Sequence, residues 1–292
     1  MKIGVGLPID ESGGVVAPWT EIRDFAIAAE KLGMDSVWVY DHFFYDPEDG
    51  SPIQGTHEAW TILTAVAAVT ERVELGALVL CSSYREPGLV AKMAAALDEV
   101  SSGRLILGLG AGWHDPEYDA FGYPKDHRVD HFEEALQIIC PLLDGKHVSF
   151  EGTHYTARDA FLTPAPRRRI PILIACEKPR MLGLTARYAQ SWNTAWYGAP
   201  DDRLHEMFAA MDAAMVAEGR DPNEMAKTVA ITVRDPAAAT TGEEPALAGS
   251  VEELARAFDE YEALGTEHLI CGLEPVSQAS LERLRAAMDL RA

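Results

Sequence analysis

Basic residues are scarce in this chain. Lysine and arginine together number 25, against 46 aspartate and glutamate residues, which gives a formal net charge of −21. Binding to nucleic acid or to an anionic membrane requires clustered lysine and arginine, so this composition argues against both kinds of partner. We expect a small molecule as the partner, and a polyanionic ligand would need local cations or a helix amino terminus to bind.

Cysteine is also rare, and its spacing excludes the common cysteine motifs. The four cysteines, at positions 81, 140, 176 and 271, are too far apart for a CxxC pair or a zinc knuckle. They are typical of reduced thiols in a cytoplasm. No uncharged apolar run reaches about 18 residues, and MKIGVGLPI leads into a strand without the features of a signal peptide. We therefore expect a cytoplasmic protein without a membrane segment.

Neither of the common glycine-rich nucleotide motifs is present, since GLGAGW at 108–113 matches neither GxGxxG followed by a helix nor GxxxxGK[ST]. Strands and helices instead alternate eight times, which favours an α/β fold of the closed (β/α)8 type, a TIM barrel, over an open doubly wound sheet. We predict one domain over residues 1–292, with insertions after strand four and, as a loop or lid at 235–249, after strand seven. The predicted strands lie at 2–9, 36–42, 73–83, 104–113, 170–176, 191–197, 227–233 and 267–273.

Titratable or small residues follow two of these strands, at the carboxyl ends where barrel enzymes place their sites. Asp41 and His42 end the second strand, and Gly110, Ala111 and Gly112 end the fourth. An imidazole there could donate or accept a proton, although a histidine that only bonds a neighbour is the alternative. The three small residues would let a flat ligand lie against the backbone.

Several of these motifs carry a family resemblance that covers nearly the whole chain. They are Asp41-His42-Phe43, the stretch 75–113 with Tyr84-Arg85 and its GLGAGW ending, Arg128, and the closing segment 249–275. This set resembles the luciferase-like monooxygenase superfamily, and especially its branch of coenzyme F420-dependent oxidoreductases. The resemblance implies that Asp41 and His42 contact the deazaflavin ring, with His42 as the catalytic group that handles the proton.

The resemblance also implies a distinctive third strand. A non-prolyl cis peptide between Leu78 and Val79 would support the back of the ring, whereas the residues alone predict an ordinary buried strand. In the glucose-phosphate-oxidising members of the branch, a proton-donating glutamate occupies the place of Trp113. This chain has a tryptophan there, which argues against that activity and makes Trp113 a candidate wall of the substrate pocket.

A phosphate site is expected after the fifth strand, where family members have a glycine-rich turn. This chain has Ala175, Cys176, Glu177, Lys178 and Arg180 around that turn instead. The negative charge of Glu177 opposes an anion, whereas Lys178, Arg180 and the helix dipole favour it. We therefore predict that Ala175, Cys176, Lys178 and Arg180 contact the cofactor.

Other polar residues have competing interpretations. Glu58 and Trp60 could line the mouth of the pocket, but a surface carboxylate and a packed indole explain them equally well. His127 and His131 have the i, i+4 spacing of metal ligands, yet no HExxH motif accompanies them, and we expect a solvated helix face and no metal. We interpret Arg104 as a structural ion pair with Asp98 or Glu99.

The favoured hypothesis is an oxidoreductase that transfers hydride between coenzyme F420 and a small organic substrate. The first alternative is an FMN-dependent monooxygenase that uses reduced flavin and oxygen, because the glycine-rich turn is missing. The second is a non-catalytic relative that binds a cofactor or serves as a partner subunit. A homodimer is expected from the resemblance and from the apolar helical stretch 61–69.

Overall fold

The computed structural model describes residues 1–47, 50–238 and 245–291. In this part of the chain, eight parallel strands form a barrel that is surrounded by helices. The barrel strands are β1 (Lys2–Gly6), β2 (Ser36–Val39), β3 (Glu74–Ala77), β4 (Leu105–Gly110), β5 (Ile172–Ala175), β6 (Ser191–Tyr197), β7 (Ala226–Arg234) and β8 (His268–Glu274).

The barrel closes because the first strand pairs with the last. Val5 of β1 lies between Val37 of β2 and Cys271 of β8 in the parallel register, and on the far side Leu109 of β4 lies beside Ile174 of β5. No edge strand is therefore left among these eight. The predicted (β/α)8 barrel is confirmed.

Nine α-helices lie in the described residues. Each barrel strand is followed by one helix, except β4, which is followed by α4 and α5. Helix α8 begins with a capping box in which Ser250 and Glu253 bond each other's backbone. The helices are α1 (Trp19–Lys31), α2 (Ala59–Ala67), α3 (Pro87–Val100), α4 (Asp115–Phe121), α5 (Arg128–Leu143), α6 (Pro179–Tyr188), α7 (Asp202–Ala217), α8 (Val251–Ala263) and α9 (Gln278–Asp289).

The short helix α4 lies in the insertion that we predicted after strand four. Its first turn contains Pro116 and the acidic residues Asp115 and Glu117, and Gly122 ends it in the left-handed conformation with φ 73°. These are the ordinary start and stop signals of a helix. An antiparallel hairpin of Val148–Glu151 with Thr156–Ala160 follows α5 in the same insertion. The predicted lid at 235–249 lies partly outside the described residues.

The interior of the barrel is filled by Trp38, which needs glycines beside it. A Cβ atom on Gly76 would lie 2.1 Å from the indole, and one on Gly4 would lie 2.8 Å from its Nε1 atom. Both positions therefore require a residue without a side chain. Leu173, Ala230 and Ile270 complete this inner layer, on which the carboxyl ends of the strands stand.

Below Trp38 the barrel holds a small polar network. The indole Nε1 donates to Ser36 Oγ at 2.7 Å, and Ser36 Oγ lies 2.7 Å from Nε2 of His268. Because the indole is only a donor, the serine hydroxyl is free to donate to the imidazole, which then carries its proton on Nδ1. Burial lowers the pKa of His268 to about 3, so this imidazole is neutral at physiological pH.

Two barrel strands are interrupted at their carboxyl ends. After Ala77, a cis peptide joins Leu78 to Val79, and pairing with β4 resumes at Leu80–Cys81. The non-prolyl cis peptide that the resemblance implied is therefore present. A second one, between Ala195 and Trp196, lies where the register of β6 shifts, and no pattern in the sequence indicated it.

Arg104 does not form the ion pair that we expected. Its guanidinium donates to the carbonyls of Ala67, Thr70, Val73 and Ser101. Asp98 pairs instead with Arg168, and Glu99 pairs with Arg167. Arg104 thus holds the end of α2 and the end of α3 together through backbone carbonyls, a role that its local sequence could not reveal.

The helical stretch 61–69 offers little surface for a homodimer. Ile62, Leu63, Val66 and Ala67 are buried within the chain, and Val69 is 38% exposed. Its apolar residues are thus explained mainly by packing against the barrel. Within the described residues, no helix combines the length and apolar character needed to cross a membrane.

The buried His268 predicts a specific dependence of stability on pH. Its pKa is lower in the folded chain than in the unfolded chain, so below pH 6.5 the unfolded state takes up a proton that the folded state does not. Stability should fall by about 1.4 kcal/mol per pH unit from this residue as the pH drops below 6.5. We expect the free energy of unfolding, measured with urea between pH 6 and pH 4, to depend less steeply on pH in His268→Gln. The difference in slope should be about that amount per pH unit. The exposed His205→Gln variant should keep the wild-type slope, and equal slopes in all three proteins would contradict a neutral His268.

Candidate functional site

A cavity of about 430 Å³ opens at the carboxyl ends of β2 to β6, and we call it the β2–β6 cavity. Its size suits an organic ligand or a cofactor ring. It contains most of the residues that the sequence indicated. The predicted residues that line it are Asp41, His42, Leu78, Val79, Gly110, Ala111, Gly112, Trp113, Ala175, Cys176 and Lys178.

Three predicted residues lie elsewhere. Arg180 bonds Asp130 and Glu133 of α5 on the outer surface of the barrel. Glu58 accepts hydrogen bonds from the first backbone N–H groups of α2 and therefore caps that helix. Trp60 is 8% exposed and packs in the hydrophobic core. The alternative interpretations of Glu58 and Trp60, as a surface carboxylate and a packed indole, fit the structure better than a pocket role.

The most informative contact in the cavity joins His42 to Glu117. Nδ1 of His42 lies 2.9 Å from Oε2 of Glu117, a carboxylate whose side chain is fully buried. The same carboxylate accepts hydrogen bonds from the backbone N–H of Phe43 and from the hydroxyl of Tyr84. Nδ1 is thus committed to Glu117, and among the described residues none bonds Nε2. Nε2 is left for a ligand.

The electrostatics of this pair favour a charged imidazole. Burial opposes the charge on His42, but the hydrogen bond and the negative charge of Glu117 outweigh it and raise the pKa of His42. Burial likewise opposes the charge on Glu117, but the bonds from His42 and the Phe43 N–H hold the pKa of this carboxyl below its usual value. The two shifts agree in direction. The protonated form of His42 and the ionised form of Glu117 therefore stabilise each other.

Asp41 has a structural part in the site. Its two carboxylate oxygens accept hydrogen bonds from the guanidinium of Arg85, at 2.7 and 2.9 Å, and one also accepts from the backbone N–H of Cys81. Arg85 is further held by Glu58. A bidentate pair of this kind fixes geometry. Asp41 thus ties the end of β2 to the end of the interrupted β3, on either side of the cavity.

The glycines of the fourth strand end are required by neighbouring protein atoms. A Cβ atom on Gly110 would lie 2.6 Å from Val79 Cγ2. On Gly112, which has φ 80°, it would lie 2.0 Å from the Tyr118 hydroxyl. Our expectation that small residues leave room for a ligand therefore needs revision. These glycines line the cavity, but their small size first admits the side chains of Val79 and Tyr118.

The rim of the cavity near α6 has a balanced charge. Oε1 of Glu177 accepts hydrogen bonds from Arg203, at 2.6 Å, and from the hydroxyl of Thr194. This pairing offsets the negative charge that we expected to oppose an anion. Lys178 lines the cavity and immediately precedes the first turn of α6. Because Pro179 has no N–H, the backbone donors of that turn belong to the two residues after it.

Aromatic rings surround His42 on its open side. The rings of Trp113 and His114 lie 5.6 and 5.7 Å from the imidazole, centroid to centroid, and that of Tyr45 lies 6.3 Å away. Trp113 is 62% exposed, so an apolar surface adjoins the cavity mouth. Trp113, which we predicted as a wall of the substrate pocket, thus lies next to His42.

The fold and the site permit comparison with known proteins. The family model described as luciferase-like monooxygenase matches residues 1–240. The chain belongs to this family.

This chain is similar to three known proteins with F420-dependent activities in their names. A "F420-dependent glucose-6-phosphate dehydrogenase" of Microbacterium testaceum is 32% identical over 208 residues, 70% of this chain and 61% of that protein. A "F420-dependent hydroxymycolic acid dehydrogenase" of Mycobacterium tuberculosis is 32% identical over 231 residues, 75% and 62% of the two chains. The matched part thus spans less than two thirds of either relative. A solved "F420-dependent secondary alcohol dehydrogenase in complex with an F420-acetone adduct" superposes with TM-score 0.84 and 21% identity, over 100% of this chain and 99% of that one.

Three lining residues that bear on the site of this luciferase-like chain were not predicted from its sequence: Glu117, Asn193 and Trp196. Glu117 lies 75 positions from His42, and only the helical start at Asp115 and Pro116 hinted that its segment is ordered. Asn193 is fully buried, and its Nδ2 donates to Thr228 while its Oδ1 has no partner among the described residues. Trp196 follows the second cis peptide and had no signal either.

The histidines on α5 lie outside the cavity. His127 bonds Asp130, and the ring of His131 stacks on that of His154 with centroids 3.8 Å apart. Parallel stacking does not converge the ring nitrogens on one point. Within the described residues, no group of three or more histidine, cysteine or carboxylate side chains has the arrangement of a metal site.

The His42–Glu117 pair predicts a measurable pKa change. Glu117→Gln keeps the size of the side chain but removes the charge that raises the pKa of His42, so that pKa should fall. The titration of the His42 ring protons followed by NMR checks this, with His42→Gln used to identify the resonance. In Glu206→Gln, which removes a carboxylate from the exposed face of α7, the His42 titration should be unchanged. An unaltered midpoint in Glu117→Gln would contradict the ion pair.

Proposed function

We propose that this chain is an oxidoreductase that transfers hydride between coenzyme F420 and a small organic substrate. Supporting observations are the family, the F420-dependent names of the relatives, and the β2–β6 cavity. The observation that carries the proposal is the His42–Glu117 pair in the wall of that cavity, because hydride transfer to or from oxygen-bearing carbon needs a group that handles the accompanying proton.

The residues of the cavity fit a flat ring. One wall is apolar and formed by Leu78 and Val79, another is formed by the backbone at Gly110 and Ala111, and Asn193 lies at the floor. Lys178 supplies a positive charge at the rim, where a phosphate would be bound. When bound, the deazaflavin supplies the position that accepts or donates hydride. The residues of this chain provide binding, orientation and proton transfer.

The role of His42 follows from the bond of its Nδ1 to Glu117. Oxidation of an alcohol releases a hydride from carbon and a proton from oxygen, and Nε2 of a neutral His42 accepts that proton. The imidazolium that results is stabilised by the carboxylate of Glu117, 2.9 Å from Nδ1. In the reverse direction, the protonated form of His42, which the raised pKa favours, donates to a carbonyl oxygen. One residue therefore serves both directions.

The tryptophan at position 113 narrows the range of substrates that we propose. The resemblance implied a proton-donating glutamate at this place in enzymes that oxidise glucose phosphate, and an indole cannot donate a proton at neutral pH. We therefore propose a substrate other than a sugar phosphate, with His42 as the group that manages the proton. We also propose a homodimer, as the resemblance implies.

His42→Ala should lower turnover with coenzyme F420 by about a hundred- to ten-thousand-fold while changing cofactor affinity little, because one positioned acid or base typically contributes that much. The affinity is measured by fluorescence titration with coenzyme F420, and FMN is titrated in parallel. Binding of FMN but not of the deazaflavin would favour a flavin monooxygenase, and binding of neither would favour a non-catalytic protein. Wild-type turnover in the variant would contradict the role of His42.

The phosphate site can be tested with two basic residues on one helix terminus. Lys178→Ala should weaken cofactor binding by about 1–3 kcal/mol, the range for a hydrogen bond to a charged group, and the loss should shrink at high salt. Arg180→Ala is the matched control, because its guanidinium is bound to Asp130 and Glu133. We expect its affinity to stay near that of the wild type. An equal loss in both variants, or a loss only in Arg180→Ala, would contradict this placement.

A further inference from the structure

A second and larger cavity adjoins the first. It has a volume of about 600 Å³ and lies where β1 and β8 end, so we call it the β1–β8 cavity. Gly6 at the end of β1, Gly272 in β8 and Thr232 in β7 form its floor, and the loop after β1 together with α1 forms its outer wall. Like the first cavity, it opens at the carboxyl face of the barrel.

The two cavities share a wall. Trp196 lines both of them, and Tyr40, which lines the β1–β8 cavity, directly precedes Asp41 and His42. The rings of Tyr40 and Trp196 are in edge contact, with centroids 5.9 Å apart. The charges of Asp10 in the second cavity and His42 in the first are close enough to influence each other's pKa. A molecule in the β1–β8 cavity would therefore lie next to the proton-handling group.

The lining of the β1–β8 cavity is acidic. Four carboxylates line it, and among its described lining residues there is no lysine, arginine or histidine. Glu274 is bonded to Arg234, and Glu11 accepts the backbone N–H of Gly55. Asp10 is bonded by the hydroxyl of Thr56, but within the described residues neither Asp10 nor Glu21 is bonded to a cation or a backbone donor. Two carboxylates thus remain available to a ligand.

Asp10 differs from an ordinary surface carboxylate. Its side chain is exposed toward the cavity, but the surrounding protein removes part of its hydration and raises its pKa. A carboxylate in such a place gains most from a bound cation, because Coulomb attraction is stronger where water is partly excluded. The formal net charge of −21 adds to the cost of bringing an anion here.

Thr232 is an independent sign of a ligand. It is 6% exposed, and its hydroxyl bonds no other group of the described chain. Along β7, Val229, Ile231 and Val233 pack in the outer core, so the alternate residues Ala230 and Thr232 face the barrel interior. The Thr232 hydroxyl is not one of the fully enclosed polar atoms that lack a partner in the described chain, so it is open to the cavity. A polar group of a ligand would replace the water that bonds this hydroxyl.

We propose that the β1–β8 cavity binds a positively charged organic substrate, an amino alcohol or the corresponding amino ketone, whose ammonium group pairs with Asp10 and whose polar atoms bond Thr232. This substrate class rests on the proposed function, because the reacting carbon must lie toward Trp196 and His42. The selectivity of the cavity for a cation does not depend on the cofactor. It follows from the charges that line the cavity.

The selectivity can be measured on the cofactor-free full chain by calorimetric titration. Cyclohexylammonium, cyclohexanol and cyclohexanecarboxylate have the same ring and differ in charge. We expect the ammonium to bind at least about tenfold more tightly than the carboxylate, with the alcohol between them. The isosteric Asp10→Asn should weaken binding of the ammonium about tenfold. Its affinity for the alcohol should stay within about twofold of the wild-type affinity. Glu86→Gln, which removes an exposed charge outside both cavities, should behave like the wild type.

Two further measurements distinguish a lost ion pair from a misfolded variant. Circular dichroism checks that Asp10→Asn keeps the fold, and in the wild type the affinity for the ammonium should fall with added salt while that for the alcohol stays constant. The proposal would be overturned if the carboxylate bound as tightly as the ammonium. It would also be overturned if folded Asp10→Asn kept the wild-type preference for the ammonium. The calorimetric titration contains no coenzyme F420. Its result is therefore independent of the cofactor titration that tests the proposed function.

Discussion

The ion pair between His42 and Glu117 is the contact on which the rest of the site depends. It joins the end of β2 to α4, two segments that no strand pairing connects, and it fixes which imidazole nitrogen is open to a ligand. The carboxylate is fully buried and also holds Phe43 and Tyr84. Removing one partner would leave a buried charge unpaired, which typically costs about 3–5 kcal/mol. Position and protonation of His42 therefore have one common cause.

A second constraint is the close fit between glycines and large side chains. Trp38 fills the barrel interior because Gly4 and Gly76 make room for it. Val79 and Tyr118 occupy the space beside Gly110 and Gly112 in the same way. Protein interiors are close-packed, so a single added methyl group at such a position is not tolerated without movement of its neighbours. The floor of the β2–β6 cavity is rigid for this reason.

The barrel was predictable because its signals are local and repeated. Apolar strands alternate with helices eight times, and the ends of strands two and four carried the residues that the structure brings together around the cavity. The cis peptide at Leu78 was expected only through the family resemblance. The start of α4 was visible at Asp115 and Pro116, and we overlooked it.

The remaining features depend on contacts between distant segments. Arg180 was a reasonable phosphate ligand until α5 placed Asp130 and Glu133 beside it. The charge of Glu177 looked unfavourable because Arg203, 26 residues away, could not be recognised as its partner. Glu117 could not be recognised as a site residue for the same reason, because its partner His42 lies 75 positions away. Side-chain partners across a barrel have no periodicity, so no pattern in the sequence identifies them.

The central claim is that His42, held by Glu117, handles the proton beside a deazaflavin ring in the β2–β6 cavity. A crystal structure of the chain with bound coenzyme F420 tests it most directly. We expect the ring between Leu78–Val79 and the backbone at Gly110, with His42 Nδ1 still bonded to Glu117 and Nε2 directed at the substrate side of the ring. A ring bound outside this cavity, or an imidazole turned away from it, would contradict the claim.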